Sequence, residues 1–135
     1  MKILGIETST RLGTLAIVEN DRVLAEEKIS DNLRHAGAFE EVLKGLLKRL
    51  NLSVSELDGI GVGLGPGSFT GIRVGLTIAK GLSFLGARRL FGVGTLDAMV
   101  HQFSFLPIAG IIWLTSRSRR SSRCRGTISV SSIFT

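Results

Sequence analysis

The alternation of apolar and polar positions predicts a chain that begins with three successive β-strands. Apolar residues dominate or alternate over residues 2–8, 13–18 and 22–29, which is typical of buried or half-buried strands. The segment 19–21, Glu-Asn-Asp, has the composition of a hairpin turn between the second and third strands. The first third of the chain is therefore predicted to form an antiparallel sheet.

An amphipathic helix is predicted next, from about residue 36 to residue 51. Its apolar residues recur with helical spacing, and Glu40 is placed to pair with Lys44 on the solvent side. These apolar positions are Phe39, Val42, Leu43, Leu46, Leu47 and Leu50.

The remaining pattern predicts two further strands and two further helices. Ser53 and Glu56 have capping-box spacing, residues 59–63 alternate like a strand, and a helix is predicted from residue 69 to about residue 85. A short strand at 90–93 and a helix capped by Thr95 follow. The order β-β-β-α-β-α-β-α predicts an α/β layer with helices packed on a mixed sheet.

A glycine-rich run at residues 63–75 joins the fourth predicted strand to the second helix. Gly65 and Gly67 flank Pro66, and Ser68 offers a cap oxygen for the helix. The spacing matches neither a P-loop nor G-x-G-x-x-G. An anion cradle at the helix N-terminus and a close-packing device remain two open interpretations.

Small residues continue along this helix at intervals of four. Gly71, Gly75 and Ala79 share one face, so the helix can approach either a partner helix or its own sheet closely. The spacing favours neither alternative.

Composition separates residues 1–102 from residues 103–135. All 11 acidic residues and 12 of the 17 basic ones precede residue 110, so the excess of positive charge belongs to the end of the chain. Residues 115–135 contain seven serines, five arginines and no acid. This end is interpreted either as a disordered basic tail, able to touch RNA, or as an out-of-frame translation.

Few residues are candidates for catalysis or for binding a ligand or metal. Glu7, Thr8 and Ser9 at the end of the first strand form a polar corner that suits a phosphate or a metal, although polar strand ends are common. His35 and His101 have no nearby partner at ligand spacing, so no metal site is predicted. The single Cys124, the absence of a secretory signal and the lack of a membrane-length apolar run favour a cytoplasmic protein with no membrane association.

Three segments together closely resemble the bacterial TsaB (YeaZ) family. They are Ile-Leu-Gly-Ile-Glu-Thr-Ser at 3–9, Gly-Pro-Gly-Ser-Phe-Thr-Gly-Ile-Arg-Val-Gly at 65–75 and Gly-Val-Gly-Thr-Leu-Asp at 92–97. The resemblance covers residues 1–102. It implies an actin-like, Hsp70-like ATPase fold related to ribonuclease H, and a role in making N6-threonylcarbamoyladenosine at position 37 of tRNA.

The resemblance also implies partners. TsaB-like proteins assist a catalytic TsaD subunit, with the ATPase TsaE joining them, so tRNA is met indirectly through the complex. A homodimer is the alternative when TsaD is absent. The resemblance implies that the partner-binding surface lies on the first two helices and includes six residues. They are Phe39, Leu43, Leu46, Gly71, Gly75 and Ala79.

The chain is expected to have no cofactor of its own. If it contacts a nucleotide, ATP or ADP is expected to bind at the interface with the partner. Six residues are the candidates for that contact. They are Glu7, Thr8, Ser9, Gly65, Gly67 and Ser68.

The sequence departs from its relatives at three places. Glu7 replaces the Asp found in many relatives, and Thr95 and Met99 stand where TsaD relatives carry a metal-binding His-x-x-x-His pair. Residues 111–117 replace the Ile-Asp-Ala-Arg stretch that leads into a second lobe, which is therefore missing or replaced. The resulting expectation is a non-catalytic subunit without catalytic residues. An ATP-dependent small-molecule kinase of the same fold and a glycoprotease-like protein are the alternatives.

Overall fold

A five-stranded mixed sheet forms the centre of the computed structural model, which describes residues 1–20, 22–29, 36–86 and 89–102. The strands are β1 (Lys2–Glu7), β2 (Gly13–Glu19), β3 (Arg22–Ile29), β4 (Gly59–Gly63) and β5 (Arg89–Val93). The helices are α1 (Ala36–Arg49), α2 (Phe69–Gly86) and α3 (Thr95–Gln102), with one 3-10 turn at Val54–Glu56. The predicted order of elements and the predicted α/β class are confirmed.

The strands lie in the order β3-β2-β1-β4-β5. The hairpin-linked strands pair antiparallel, from β1 to β2 and from β2 to β3. The strands joined through helices pair parallel, from β1 to β4 and from β4 to β5. Both the parallel and the antiparallel half of the sheet therefore meet at β1, which is the central strand.

The main core lies between one face of this sheet and helices α1 and α2. Leu4 and Ile6 of β1 are fully buried there, together with Phe39 and Leu46 of α1 and Ala79 of α2. The apolar stripe of α1 therefore covers the chain's own sheet, as the amphipathic pattern requires.

The polar side of α1 faces solvent and carries the predicted ion pair. Lys44 Nζ lies 2.6 Å from Glu40 Oε1. Its hydrogen bond and its charge lower the pKa of the Glu40 carboxyl. The helix ends at Arg49, two residues before the predicted boundary, because Asn51 adopts a left-handed φ of 52°. Leu52 N then donates to Leu47 O at 2.9 Å and closes the last turn.

Helix α2 packs on the sheet through its small residues. Gly71, Gly75 and Ala79 are all buried. A Cβ added at Gly71 would overlap the carbonyl oxygen of Thr8, which directly follows β1, and one at Gly75 would overlap the Thr8 hydroxyl. Of the two open interpretations of this stripe, close packing against its own sheet is therefore what the structure shows.

Several expectations fall outside the described residues. The structure does not describe His35, Cys124 or any other residue of 103–135. The interpretations of the tail therefore stay predictions. The division of the chain at residue 102 likewise stays a prediction.

Because the Thr8 carbonyl cannot move without its backbone, Gly71→Ala should lower the free energy of unfolding by about 1–3 kcal/mol. Gly81→Ala in the same helix is the matched control. Nothing lies within 4 Å of a Cβ built at Gly81. That variant should gain about 0.5–1 kcal/mol from helix propensity. Urea denaturation of both variants measures the difference, and equal stability would contradict the close packing of α2 on β1.

Candidate functional site

The carboxyl ends of β1, β4 and β5 converge on a buried polar cluster. Glu7, Thr8 and Ser9 leave β1, while Thr95 begins α3 just after β5. These four residues are between 2% and 5% exposed. Successive side chains of an extended chain point to opposite sides. Thr8 accordingly contacts α2, whereas Glu7 contacts the start of α3.

Both carboxylate oxygens of Glu7 accept hydrogen bonds from within the chain. Ser9 N donates to Glu7 Oε1 at 2.6 Å, and Thr95 Oγ1 donates to Glu7 Oε2 at 2.8 Å. Since the single proton of the Thr95 hydroxyl is used on Glu7, the Ser9 hydroxyl is the donor in the 2.9 Å bond between Ser9 Oγ and Thr95 Oγ1. Glu7, Ser9 and Thr95 therefore form a closed cluster, named the strand-end clamp below.

The strand-end clamp also holds the glycine-rich loop. Gly65 N donates to Thr95 Oγ1 at 3.1 Å, and Thr95 N donates back to Gly65 O at 2.9 Å. Gly65 has a φ of 83°, a conformation that favours glycine. Ser68 N donates to Ser9 O at 2.7 Å. The loop is thus fixed to β1 and to α3 before α2 begins.

Ser68 caps α2 as predicted, because its Oγ accepts from Gly71 N at 3.1 Å. The predicted cap role of Thr95 is wrong. Helix α3 begins at Thr95 itself, Ala98 N bonds to Gly94 O, and the Thr95 hydroxyl belongs to the strand-end clamp. This role depends on contacts with residues 30 and 88 positions away, which local sequence spacing does not reveal.

The six candidate nucleotide residues do lie together, but they do not form an open cradle. Glu7, Thr8, Ser9 and Gly65 are buried, and a Cβ at Gly67 would overlap the Ser9 carbonyl. The Thr8 hydroxyl is buried without a hydrogen-bond partner among the described residues, pressed against Gly75. A nucleotide would have to displace internal hydrogen bonds, so its binding stays a prediction and the geometry favours a structural role for these residues.

The six residues assigned to partner binding all lie inside the chain, and their role in partner binding stays a prediction. Each of these residues is buried in the free chain, with little or no surface exposed to solvent. They are Phe39, Leu43, Leu46, Gly71, Gly75 and Ala79. The stripe and the leucines fill the chain's own core, so the apolar side chains of these helices that are open to solvent are other ones.

Such residues are present on the outer side of α2. Phe69 is 74% exposed, Phe84 is 90% exposed and Leu85 is 82% exposed. The sequence analysis did not name them because it followed the small stripe of α2 and the apolar stripe of α1. The available signal was that α2 is apolar around most of its circumference, which is typical of a helix covered on two sides.

The described residues form neither a cluster of metal ligands nor a membrane-spanning helix. No group of three or more His, Cys, Asp or Glu side chains is placed to hold a metal ion within residues 1–20, 22–29, 36–86 and 89–102. No helix in those ranges has the length and apolar character needed to cross a bilayer.

The mixed sheet and its helices form a domain of the actin-like, ribonuclease H-like ATPase fold. The family model described as tRNA N6-adenosine threonylcarbamoyltransferase, TsaD, matches residues 22–115. The solved structure of YeaZ from Pseudomonas aeruginosa superimposes with a TM-score of 0.68 at 28% identity, over 78% of this chain and 50% of that one.

Curated proteins that are similar in sequence to this chain have related names. The tRNA threonylcarbamoyladenosine biosynthesis protein TsaB of Escherichia coli K12 is 31% identical over 99 residues, which are 73% of this chain and 42% of that protein. A tRNA N6-adenosine threonylcarbamoyltransferase of Methylorubrum extorquens is 36% identical over 118 residues, covering 73% of this chain and 34% of the transferase. The chain belongs to the TsaB (YeaZ) family, which is homologous to these transferases. It spans half or less of the length of these relatives.

The strand-end clamp should be measurable as stability. Thr95→Val removes the donor to Glu7 and leaves Gly65 N and the Ser9 hydroxyl without their acceptor. Because buried bonds to charged groups contribute about 1.5–3 kcal/mol each, the variant should lose about 2–3 kcal/mol of unfolding free energy. Thr95→Ser keeps the oxygen and should lose less than about 1 kcal/mol. Chemical denaturation in which the valine and serine variants are equally stable would exclude the clamp.

Proposed function

We propose that this chain is a non-catalytic subunit in the formation of N6-threonylcarbamoyladenosine in tRNA, and that it binds a TsaD-like catalytic subunit through the outer face of α2. A TsaE-like ATPase then joins the pair, and tRNA is reached through the complex. Membership of the TsaB family supports the pathway. The exposed apolar side of α2 is the observation that carries the docking proposal.

The outer face of α2 is large enough to be an interface. Phe69 and Phe84 are 15 positions apart, which is about 22 Å at 1.5 Å per residue. Exposed aromatic side chains are the residues that most often dominate the energy of protein interfaces. The inner face of the same helix is filled by the sheet, so these side chains have no role in the core.

Helix α1 offers a poorer docking surface. Its outward side carries Glu40, Glu41, Lys44 and Lys48, and its apolar side is buried in the core. The proposal therefore places the main contact on α2, where the resemblance alone had assigned both helices.

A non-catalytic role is supported by how the polar residues are used. Both oxygens of Glu7 are occupied by Ser9 and Thr95. Thr95 and Met99, which stand where TsaD relatives carry their histidine pair, are a clamp hydroxyl and a 40% exposed thioether. These groups serve the fold and the surface, and they leave the chemistry to the partner.

The docking proposal predicts that Phe84→Glu weakens binding of the TsaD-like subunit from the same genome at least tenfold. A charge would replace a 90% exposed ring at the contact. Val23→Glu is the matched control, because Val23 is 36% exposed and lies on β3, at the edge of the sheet opposite β5, whereas α2 packs on β1, β4 and β5. Isothermal titration calorimetry measures both affinities, with circular dichroism to verify folding. Undiminished binding by the Phe84 variant, or the same loss in both variants, would refute docking through α2.

A further inference from the structure

A groove runs along one side of α2 and combines apolar and polar chemistry. It is an open surface depression of about 290 Å³, and its described lining residues all belong to α2: Thr70, Arg73, Val74, Thr77 and Ile78. Val74 and Ile78 are half-buried and form its apolar floor, while the other three side chains are exposed at its rim. The Thr77 hydroxyl already donates to Arg73 O at 2.8 Å. Of these side chains, Arg73 is therefore the strongest available hydrogen-bond donor.

Arg73 is held in place without an acidic partner. Its guanidinium carbon lies 5.5 Å from the centroid of the Phe69 ring, one helical turn earlier. Among the described residues, no carboxylate lies within ion-pair distance of Arg73. Stacking on a ring occupies the face of a guanidinium and leaves its in-plane N–H groups free for a carboxylate.

All charged side chains of helix α2 are positive. Helix α2 contains Arg73 and Lys80 and no Asp or Glu. A two-fold contact of α2 with α2 of a second copy would bring like charges together, because such an interface presents the same patch twice. A nucleic acid is a less suitable ligand for this groove, which has an apolar floor and the exposed Phe69 beside it. Protein surfaces that bind nucleic acids carry far more positive charge than the two cations of this helix.

We propose that this groove binds a segment of the TsaD-like partner that carries an apolar side chain next to an Asp or Glu. The apolar side chain packs on Val74 and Ile78, and the carboxylate takes a bidentate pair of hydrogen bonds from Arg73. This assignment rests on the proposed function and adds to it the chemistry by which α2 selects its partner.

Three variants test the assignment by calorimetric titration with the TsaD-like subunit. Arg73→Gln should weaken binding about 10- to 100-fold, because the carboxylate loses a charge-assisted pair. Arg73→Lys keeps the charge without the planar fork and should fall in between. Arg22→Gln removes an exposed arginine of the edge strand β3, outside the docking helix, and should change affinity less than threefold. The wild-type affinity should fall between 0.05 and 0.5 M NaCl, and fall less steeply for Arg73→Gln.

The outcomes separate the two proposals. If the wild-type chain does not bind the TsaD-like subunit, the proposed function fails. If it binds and Arg73→Gln binds equally well, or if Arg22→Gln is weakened as much, the groove assignment fails alone. It also fails if Arg73→Gln changes only the affinity of the chain for tRNA, or only its self-association in analytical ultracentrifugation.

Discussion

The contact between Thr8 and the two glycines of α2 is the constraint on which the rest of the structure depends. Thr8 follows the central strand, and its carbonyl and hydroxyl occupy the space where side chains at Gly71 and Gly75 would lie. The helix can approach the sheet this closely only because those side chains are absent. The approach also leaves the Thr8 hydroxyl buried without a hydrogen-bond partner among the described residues, which costs about 1–3 kcal/mol.

The neighbouring residues extend this constraint to the other side of the strand end. Glu7 points away from α2 and joins Ser9 and Thr95, which in turn holds Gly65 in the loop before α2. The same short segment therefore fixes where α2 starts and how deeply it is seated. With its inner face committed to the sheet, the helix presents Phe69, Arg73 and Phe84 outward, which is the arrangement that a docking helix needs.

Most of the fold could be predicted from local pattern, whereas the site could be predicted only in part. Strand alternation and the apolar stripe of α1 identified their elements, because period 2 and period 3.6 are properties of nearby residues. The spacing of Gly71 and Gly75 predicted a close contact but could not decide between the sheet and a partner, since both require small residues. The role of Thr95 depends on Glu7, 88 positions earlier, and no local signal encodes such a contact. The burial of Phe39 and Leu46 in the core follows from the amphipathic pattern, whereas their assignment to a partner came from the family resemblance and stays a prediction.

Helix α2 is covered by the sheet on one side, and we propose that a TsaD-like subunit covers it on the other. Hydroxyl-radical labelling of the aromatic side chains, read by mass spectrometry with and without that subunit, tests it most directly. We expect strong labelling of Phe69 and Phe84 in the free chain, loss of that labelling in the complex, and little labelling of Phe39 in either state. Equal labelling of Phe69 and Phe84 in the free chain and in the saturated complex would contradict it.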